Sequence, residues 1–315
     1  MKKKVLITPK SFRNFKHKAY PLLEEKGYEI VENNFGRTMT ESEIVELAEE
    51  GVEGIIIGID PLPANVLDQL KDLKAISKYG VGMDNIDLGR AAELRIKVKN
   101  AVGTNSVSVA ELSIALMFTM SRKIPVHSAG VKSGGWDRSI GIELTGKKLG
   151  LAGGGQIGRE VAKRARGLEM EVTIYDPYFN DDSFLEKYQV KMADSLEELL
   201  AQSDIVSLHL PVTSETKQMI NSTTLGLMKS NAILINTSRG ELVDEEALYV
   251  ALTSGKIAGA AQDVFSSEPP AKDEKLLKLD NFILTPHLGA FTGEAVEKMV
   301  LVSTYNLLEM LGHRE

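Results

Sequence analysis

The 315-residue chain contains no cysteine, which excludes structural disulfides and thiol catalysis while leaving the redox compartment open. Positive charge is not in surplus: 37 Lys and Arg face 44 Asp and Glu, a net charge of −7. No overall field therefore favours nucleic acid or an anionic membrane surface. Long apolar runs are missing as well. The basic start "MKKK" has no apolar stretch behind it, as a secretory signal would require. The most apolar segment, "VSVAELSIALMFTM", carries Ser108, Glu111 and Ser113 and is too short to cross a bilayer. Internal repeats and low-complexity linkers are absent. A cytoplasmic protein is expected.

What remains is globular in composition: 43% hydrophobic, 26% charged, with 27 glycines. The length suits about two domains. Short β-branched runs alternate with helical patterns, which argues for parallel sheets with crossover helices. Residues 4–9, 54–58, 74–80 and 96–100 read as strands. The stretch "TESEIVELAEE" (40–50) reads as a helix opened by a capping box, Thr40 with Glu43. Residues 105–122 form a long, mostly apolar helix that should be buried. A second series starts near residue 148 with "KLGLAGGG", continues through "QIGREVAKRARG", and adds the strands "EVTIYD", "DIVSLHLP", "AILINTS", "IAGAAQDVF" and "NFILTPH". After His287 only one amphipathic helix is left, which cannot form a domain alone. The expectation is a nucleotide domain over residues 102–283, with a second domain built from residues 1–101 plus 284–315.

Gly153, Gly155 and Gly158 fit G-x-G-x-x-G, and the loop follows a predicted strand and opens a predicted helix. In that context the first glycine permits a tight turn, the second lets backbone approach a pyrophosphate, and the third allows close helix–strand packing. The helix N-terminus offers free N–H groups to phosphates. Neither the other kinase motifs nor a Walker G-K-S/T accompanies the loop. Asp176 lies at the end of "VTIYD", 18 residues past Gly158, where a carboxylate would accept from the adenosine ribose hydroxyls. It would repel a 2′-phosphate, and no Arg or Lys lies between Asp176 and Lys187 to attract one. NAD is expected rather than NADP.

Three ionisable residues follow successive late strands: Arg239, Glu268 and His287. Ligands bind at the carboxyl ends of strands in open parallel sheets, the edge that also carries the glycine loop. Read singly, each has an ordinary alternative, such as an Arg239–Asp244 pair or a solvated Glu268. Together with "KYGVGMDNIDL" (78–88), "VAELSIALM" (109–117), "GKKLGLAGGGQIGREVAKRA" (146–165), "HLPVTSET" (209–216), "NTSRGELVDEEAL" (236–248), "DVFSSEPP" (263–270) and "TPHLGAFT" (285–292), they make a chain that resembles the D-isomer-specific 2-hydroxyacid dehydrogenases. The likeness is greatest to the phosphoglycerate dehydrogenase-like branch. Gly154 departs from it, since many relatives carry a larger apolar residue there.

The resemblance implies an α/β fold of two doubly wound parallel-sheet domains, a Rossmann NAD-binding domain inserted into a flavodoxin-like substrate domain. It implies that Arg239 clamps the substrate carboxylate, that His287 is the acid/base and that Glu268 orients it. It assigns the backbone amides of Val81 and Gly82 to the same carboxylate. Gly153, Gly155, Gln156, Ile157, Gly158, Asp176, Pro211, Thr216, Thr237 and Asp263 would bind NAD, Asp263 at the nicotinamide carboxamide. It also implies a homodimer, here through the region of residues 105–122, with burial of that apolar helix inside the monomer as the equal alternative.

Phosphoglycerate dehydrogenases commonly carry phosphate-binding arginines where this chain has Asp60 and Pro61, and Asp60 would repel a phosphate. Lys10, Arg13 or Lys78 would have to compensate. An unphosphorylated 2-oxo acid such as hydroxypyruvate, glyoxylate or a sugar acid is thus the alternative substrate. Serine feedback is not expected, because no regulatory domain follows the final helix. An NADH-sensing corepressor-like binding protein, and an S-adenosylhomocysteine hydrolase-like enzyme with tightly held NAD, are rivals from other classes. Among the other histidines, His209 would lie near the cofactor, while His17, His127 and His313 would be surface residues. Trp136 would be a packing anchor.

Overall fold

The computed structural model describes residues 2–48 and 51–313. The chain separates into two compact units, Met1–Asn105 with Ala290–Glu315, and Ser106–Gly289. In the first, β1 (Lys3–Ile7), β2 (Tyr28–Glu32), β3 (Val52–Ile57), β4 (Ala75–Lys78) and β5 (Lys97–Asn100) stand in the order β2-β1-β3-β4-β5, all parallel. Strands covered on both faces must be apolar throughout, and the run Ile55, Ile56 and Ile57 is fully buried. The last helix, Gly293–Met310, packs against this sheet. Gly54 makes room for it: a Cβ there would stand 2.9 Å from Leu307 Cδ1. The helix Glu41–Leu47 has the expected reciprocal capping box between Thr40 and Glu43, and residues 49 and 50 of the expected stretch lie outside the described residues.

The second unit holds β6 (Lys148–Ala152), β7 (Glu171–Tyr175), β8 (Lys191–Met192), β9 (Ile205–Leu208), β10 (Ile233–Asn236), β11 (Gly259–Gln262) and β12 (Phe282–Leu284). Their order is β12-β11-β10-β9-β6-β7-β8, again parallel. The chain starts at β6, builds outward through β7, and then crosses to β9. That makes the carboxyl ends of β6 and β9 a topological switch point, where open sheets of this kind leave a crevice. Separate apolar clusters fill the two faces, one around Leu208, Leu234 and Leu248, the other around Leu151, Val161 and Ile235.

Several details differ from the sequence reading. The unit boundaries fall at 105/106 and 289/290 rather than 101/102 and 283/284. Ala101 N–H donates to Lys78 O and Gly80 O (3.2 and 2.9 Å), and Thr104 Oγ1 to Ala101 O (2.8 Å), which holds that link to the first sheet. Amides of residues 287–289 donate to Asp263 and hold the second link to β11. Trp136 is no packing anchor; it is 80% exposed. His313 is not a free surface residue, since its Nε2 lies 3.1 Å from Tyr28 Oη and the two rings meet edge-on. Asp60 does not face outward toward a substrate phosphate. It is 2% exposed, and its carboxylate accepts from Thr8 Oγ1 and from Met39 N–H (2.8 Å).

Thr8 Oγ1 also accepts from Gly58 N–H (3.0 Å), so one hydroxyl serves two buried partners. Thr8→Val should leave both without that partner and cost roughly 1–3 kcal/mol. Urea unfolding would show this as a lowered midpoint with an unchanged slope.

Candidate active site

The glycine loop joins β6 to the helix Gln156–Gly167, and sterics dictate its glycines. Gly153 has φ +105°, and a Cβ there would meet His209 O at 2.3 Å. A Cβ on Gly158 would meet Gly153 O at 2.1 Å. Gly155, the helix N-cap, is different: nothing stands within 4 Å of its Cβ position. Open space therefore lies against the end of a helix whose first N–H groups lack intrahelical partners, which is what a pyrophosphate requires. The loop fits a dinucleotide. Ile157 packs into the apolar cluster beneath, and Gln156 Oε1 accepts from Ser106 Oγ (3.3 Å).

Asp176 follows β7 and is half-buried, with Oδ2 accepting from Gly154 N–H (2.8 Å) and Oδ1 from Tyr178 N–H (2.9 Å). Two carboxylate oxygens offer about four acceptor positions, so capacity remains for ribose hydroxyls. The departure at Gly154 has a local cause. A Cβ there would stand 2.3 Å from Phe179 Cδ2, so the Phe179 ring fills the space that a larger residue would take. Arg159 stacks on that ring, 4.7 Å from its centroid, and Nε donates to Gly154 O (3.0 Å). This cation comes from the helix that precedes Asp176, outside the stretch between Asp176 and Lys187 that lacks Arg and Lys.

At the end of β9, Thr216 Oγ1 donates to Pro211 O (2.7 Å), which ties these two predicted residues together. Thr237, after β10, is 8% exposed with its Oγ1 2.9 Å from Ser113 Oγ. His209 Nε2 lies 2.9 Å from Ser207 Oγ, and its buried Nδ1 has no partner. Burial drives its pKa down to about 3, so the ring is neutral at ordinary pH. Val81 and Gly82 lie in the first unit, after β4, where Val81 is exposed and its carbonyl accepts from Asn100 Nδ2 (2.6 Å).

Arg239, Glu268 and His287 follow β10, β11 and β12. Gly240 brings the first two loops together, since its Cβ position is 2.1 Å from the Phe265 carbonyl carbon. Asp263, 1% exposed, organises the third loop: its carboxylate accepts from Thr285 Oγ1 (2.5 Å), Leu288 N–H (2.9 Å) and Gly289 N–H (2.7 Å). Burial raises its pKa, with those bonds and the nearby His287 pulling the other way. His287 itself sits in the left-handed region at φ 51°, unusual for a residue with a Cβ. Its amide is fixed by Asp263 O (2.8 Å) and Thr285 O (2.9 Å).

His287 Nδ1 lies 2.7 Å from Glu268 Oε2, while Phe265 N–H donates to Glu268 Oε1 (3.0 Å). Burial pushes the Glu268 carboxyl upward. The bonds from His287 and Phe265 and the charges of His287 and Arg239 outweigh it, and the net shift is downward. Glu268 is therefore ionised beside the ring. With Nδ1 engaged, Nε2 is the nitrogen left to meet a ligand.

Residues 114–289 match the family model "D-isomer specific 2-hydroxyacid dehydrogenase, NAD binding domain". The chain is 43% identical over 279 residues to D-3-phosphoglycerate dehydrogenase of Methanocaldococcus jannaschii, an alignment covering 88% of this chain and 52% of the relative. It likewise spans 47% of the corresponding Archaeoglobus fulgidus protein, and so about half the length of these relatives. Glyoxylate reductase of Thermococcus litoralis is 38% identical, with 98% of this chain and 93% of the relative covered. Among solved structures, a glyoxylate reductase from Paecilomyes thermophila superposes with a TM-score of 0.88 at 28% identity, covering 99% of this chain and 96% of the other. By the matched domain and by relatives that align along nearly its whole length, the chain belongs to the D-isomer specific 2-hydroxyacid dehydrogenase family and carries that family's NAD-binding domain.

Proposed function

We propose that the protein is an NAD-dependent oxidoreductase that interconverts a small D-2-hydroxy acid and its 2-oxo acid. The observation that carries the proposal is the 2.7 Å contact between His287 Nδ1 and an ionised Glu268, at the strand edge that also holds the glycine loop and Arg239. NAD, when bound, supplies the hydride donor or acceptor. His287 Nε2 gives a proton to the substrate carbonyl oxygen in reduction and takes it from the hydroxyl in oxidation. Glu268 fixes the ring and stabilises its protonated form by an opposite charge at hydrogen-bond range. Arg239, whose Nη1 already donates to Ser238 O (2.7 Å), meets the substrate carboxylate with other N–H groups of its planar fork and polarises the adjacent carbonyl.

The substrate is best read as unphosphorylated. Of the three cations that could meet a phosphate, Arg13 pairs with Glu32 (2.8 Å), and Lys78 is buried, bonding Gly58 O and Asn85 Oδ1 (2.7 Å). Lys10 and Arg13 are exposed, Arg13 with its guanidinium held in the pair with Glu32. Pairing of two chains, expected through residues 105–122, fits the surface that follows that helix: Ile124, Val131, Trp136 and Ile140 are 50%, 50%, 80% and 94% exposed, an apolar set that association would cover. Sedimentation should give twice the chain mass, and a strictly monomeric species at micromolar concentration would refute the pairing.

Purified protein with NADH should reduce hydroxypyruvate or glyoxylate faster than 3-phosphohydroxypyruvate. His287→Asn should lower that rate by about 10²–10⁴-fold while NADH still binds. Faster turnover of the phosphorylated compound would reverse the choice of substrate and point to Lys10. NADH binding without turnover of any 2-oxo acid would sink the enzyme reading and favour a cofactor-sensing binding protein.

A further inference from the structure

The end of the site around Asp176 holds a cation that is already taken. Arg159 leaves the first turn of the helix Gln156–Gly167, lies over the rings of Phe179 and Phe184 (4.7 and 5.2 Å to the centroids), and ends in an ion pair with Asp181. Its Nε bonds Gly154 O, and Gly154 N–H is the donor that holds Asp176. Phe179 N–H in turn donates to Asp176 O (3.1 Å), so the stacked ring belongs to the turn that Asp176 opens. The guanidinium is thus built into the same small structure as the carboxylate expected to read the ribose.

We propose that Asp181 helps set the preference for NAD over its 2′-phosphorylated counterpart, by holding Arg159 in an internal ion pair so that a 2′-phosphate meets the Asp176 carboxylate and no free cation. This rests on the reading of the site as a dinucleotide site. Asp176 repels a 2′-phosphate, but repulsion is only half of a discrimination; a neighbouring free arginine would offset it through charge-assisted bonds. Asp181 removes that offset. Bonds from Ser183 Oγ, Arg159 and Phe184 N–H hold its carboxyl below the usual range, so it is ionised at neutral pH.

The geometry of Asp181 also provides a clean variant. Oδ1 caps the helix Asp182–Tyr188, accepting from Phe184 N–H (3.1 Å) and Ser183 Oγ (2.7 Å), while Oδ2 faces Arg159. Asparagine is as good an N-cap as aspartate. Asp181→Asn therefore keeps the Oδ1 cap and turns an N–H₂ group toward the guanidinium. Arg159 stays in place on its aromatic rings and its tip is released. A released tip favours the 2′-phosphate whether it reaches the phosphate or neutralises Asp176.

The test is the ratio of NADPH to NADH dissociation constants, read by titration of reduced-nicotinamide fluorescence without any oxo acid. Asp181→Asn should shift the ratio toward NADPH by about tenfold, a gain that salt weakens. Asp181→Ser, which also caps a helix, should shift it the same way. Adding Arg159→Gln to Asp181→Asn should return the ratio to the wild-type value. An unchanged ratio in both single variants, or a gain that survives loss of Arg159, overturns the latch alone. A wild-type protein that binds neither cofactor overturns the latch together with the proposed function.

Discussion

The Asp263 carboxylate is buried where water cannot solvate it, and it meets that cost by accepting from Thr285, Leu288 and Gly289 in one short loop. Those bonds, with the two that fix the His287 amide, hold a residue with a Cβ in a left-handed conformation that costs of order 1 kcal/mol or more. The geometry of His287 is thus imposed from below by β11 and β12. Glu268 arrives from the neighbouring loop, itself fixed by the Phe265 amide and by the close approach at Gly240. Remove the buried carboxylate and the imidazole loses its reason to face Glu268.

The same economy of backbone space governs the other end of the sheet edge. Glycines at 153 and 158 permit approaches that no Cβ could survive, whereas Gly155 leaves a vacant space at a helix end. Gly154 gives way to Phe179, and that exchange brings an aromatic ring, an arginine and a second aspartate beside Asp176. The proposed dinucleotide site is thus built from backbone amides and one carboxylate, with the adjacent Arg159 guanidinium paired internally to Asp181.

Periodic and local features were readable from the chain. Alternating β-branched runs gave the parallel sheets, the Thr40–Glu43 capping box formed as its spacing demands, and the glycine loop lies between a strand and a helix. Arg239, Glu268 and His287 follow three neighbouring strands because successive βα units add to one sheet in register. What stayed hidden depended on contacts distant in sequence. Nothing near Asp60 announces that Thr8 and Met39 turn it inward, and nothing near Asp176 announces Arg159. Trp136 illustrates the limit of composition: a large apolar side chain usually anchors a core, yet this one is exposed. The boundary at 289/290 depends on hydrogen bonds to Asp263, which no periodicity encodes.

The central claim is that Glu268 holds His287 through Nδ1 and so leaves Nε2 to exchange a proton with the substrate. Nitrogen-resolved NMR of the His287 ring, compared between the wild-type protein and Glu268→Gln, addresses it directly. In the neutral form of the ring Nδ1 should carry the proton and Nε2 should be bare, and that preference should weaken in the variant. A ring protonated on Nε2 in the wild type, or one indifferent to Glu268, would contradict it.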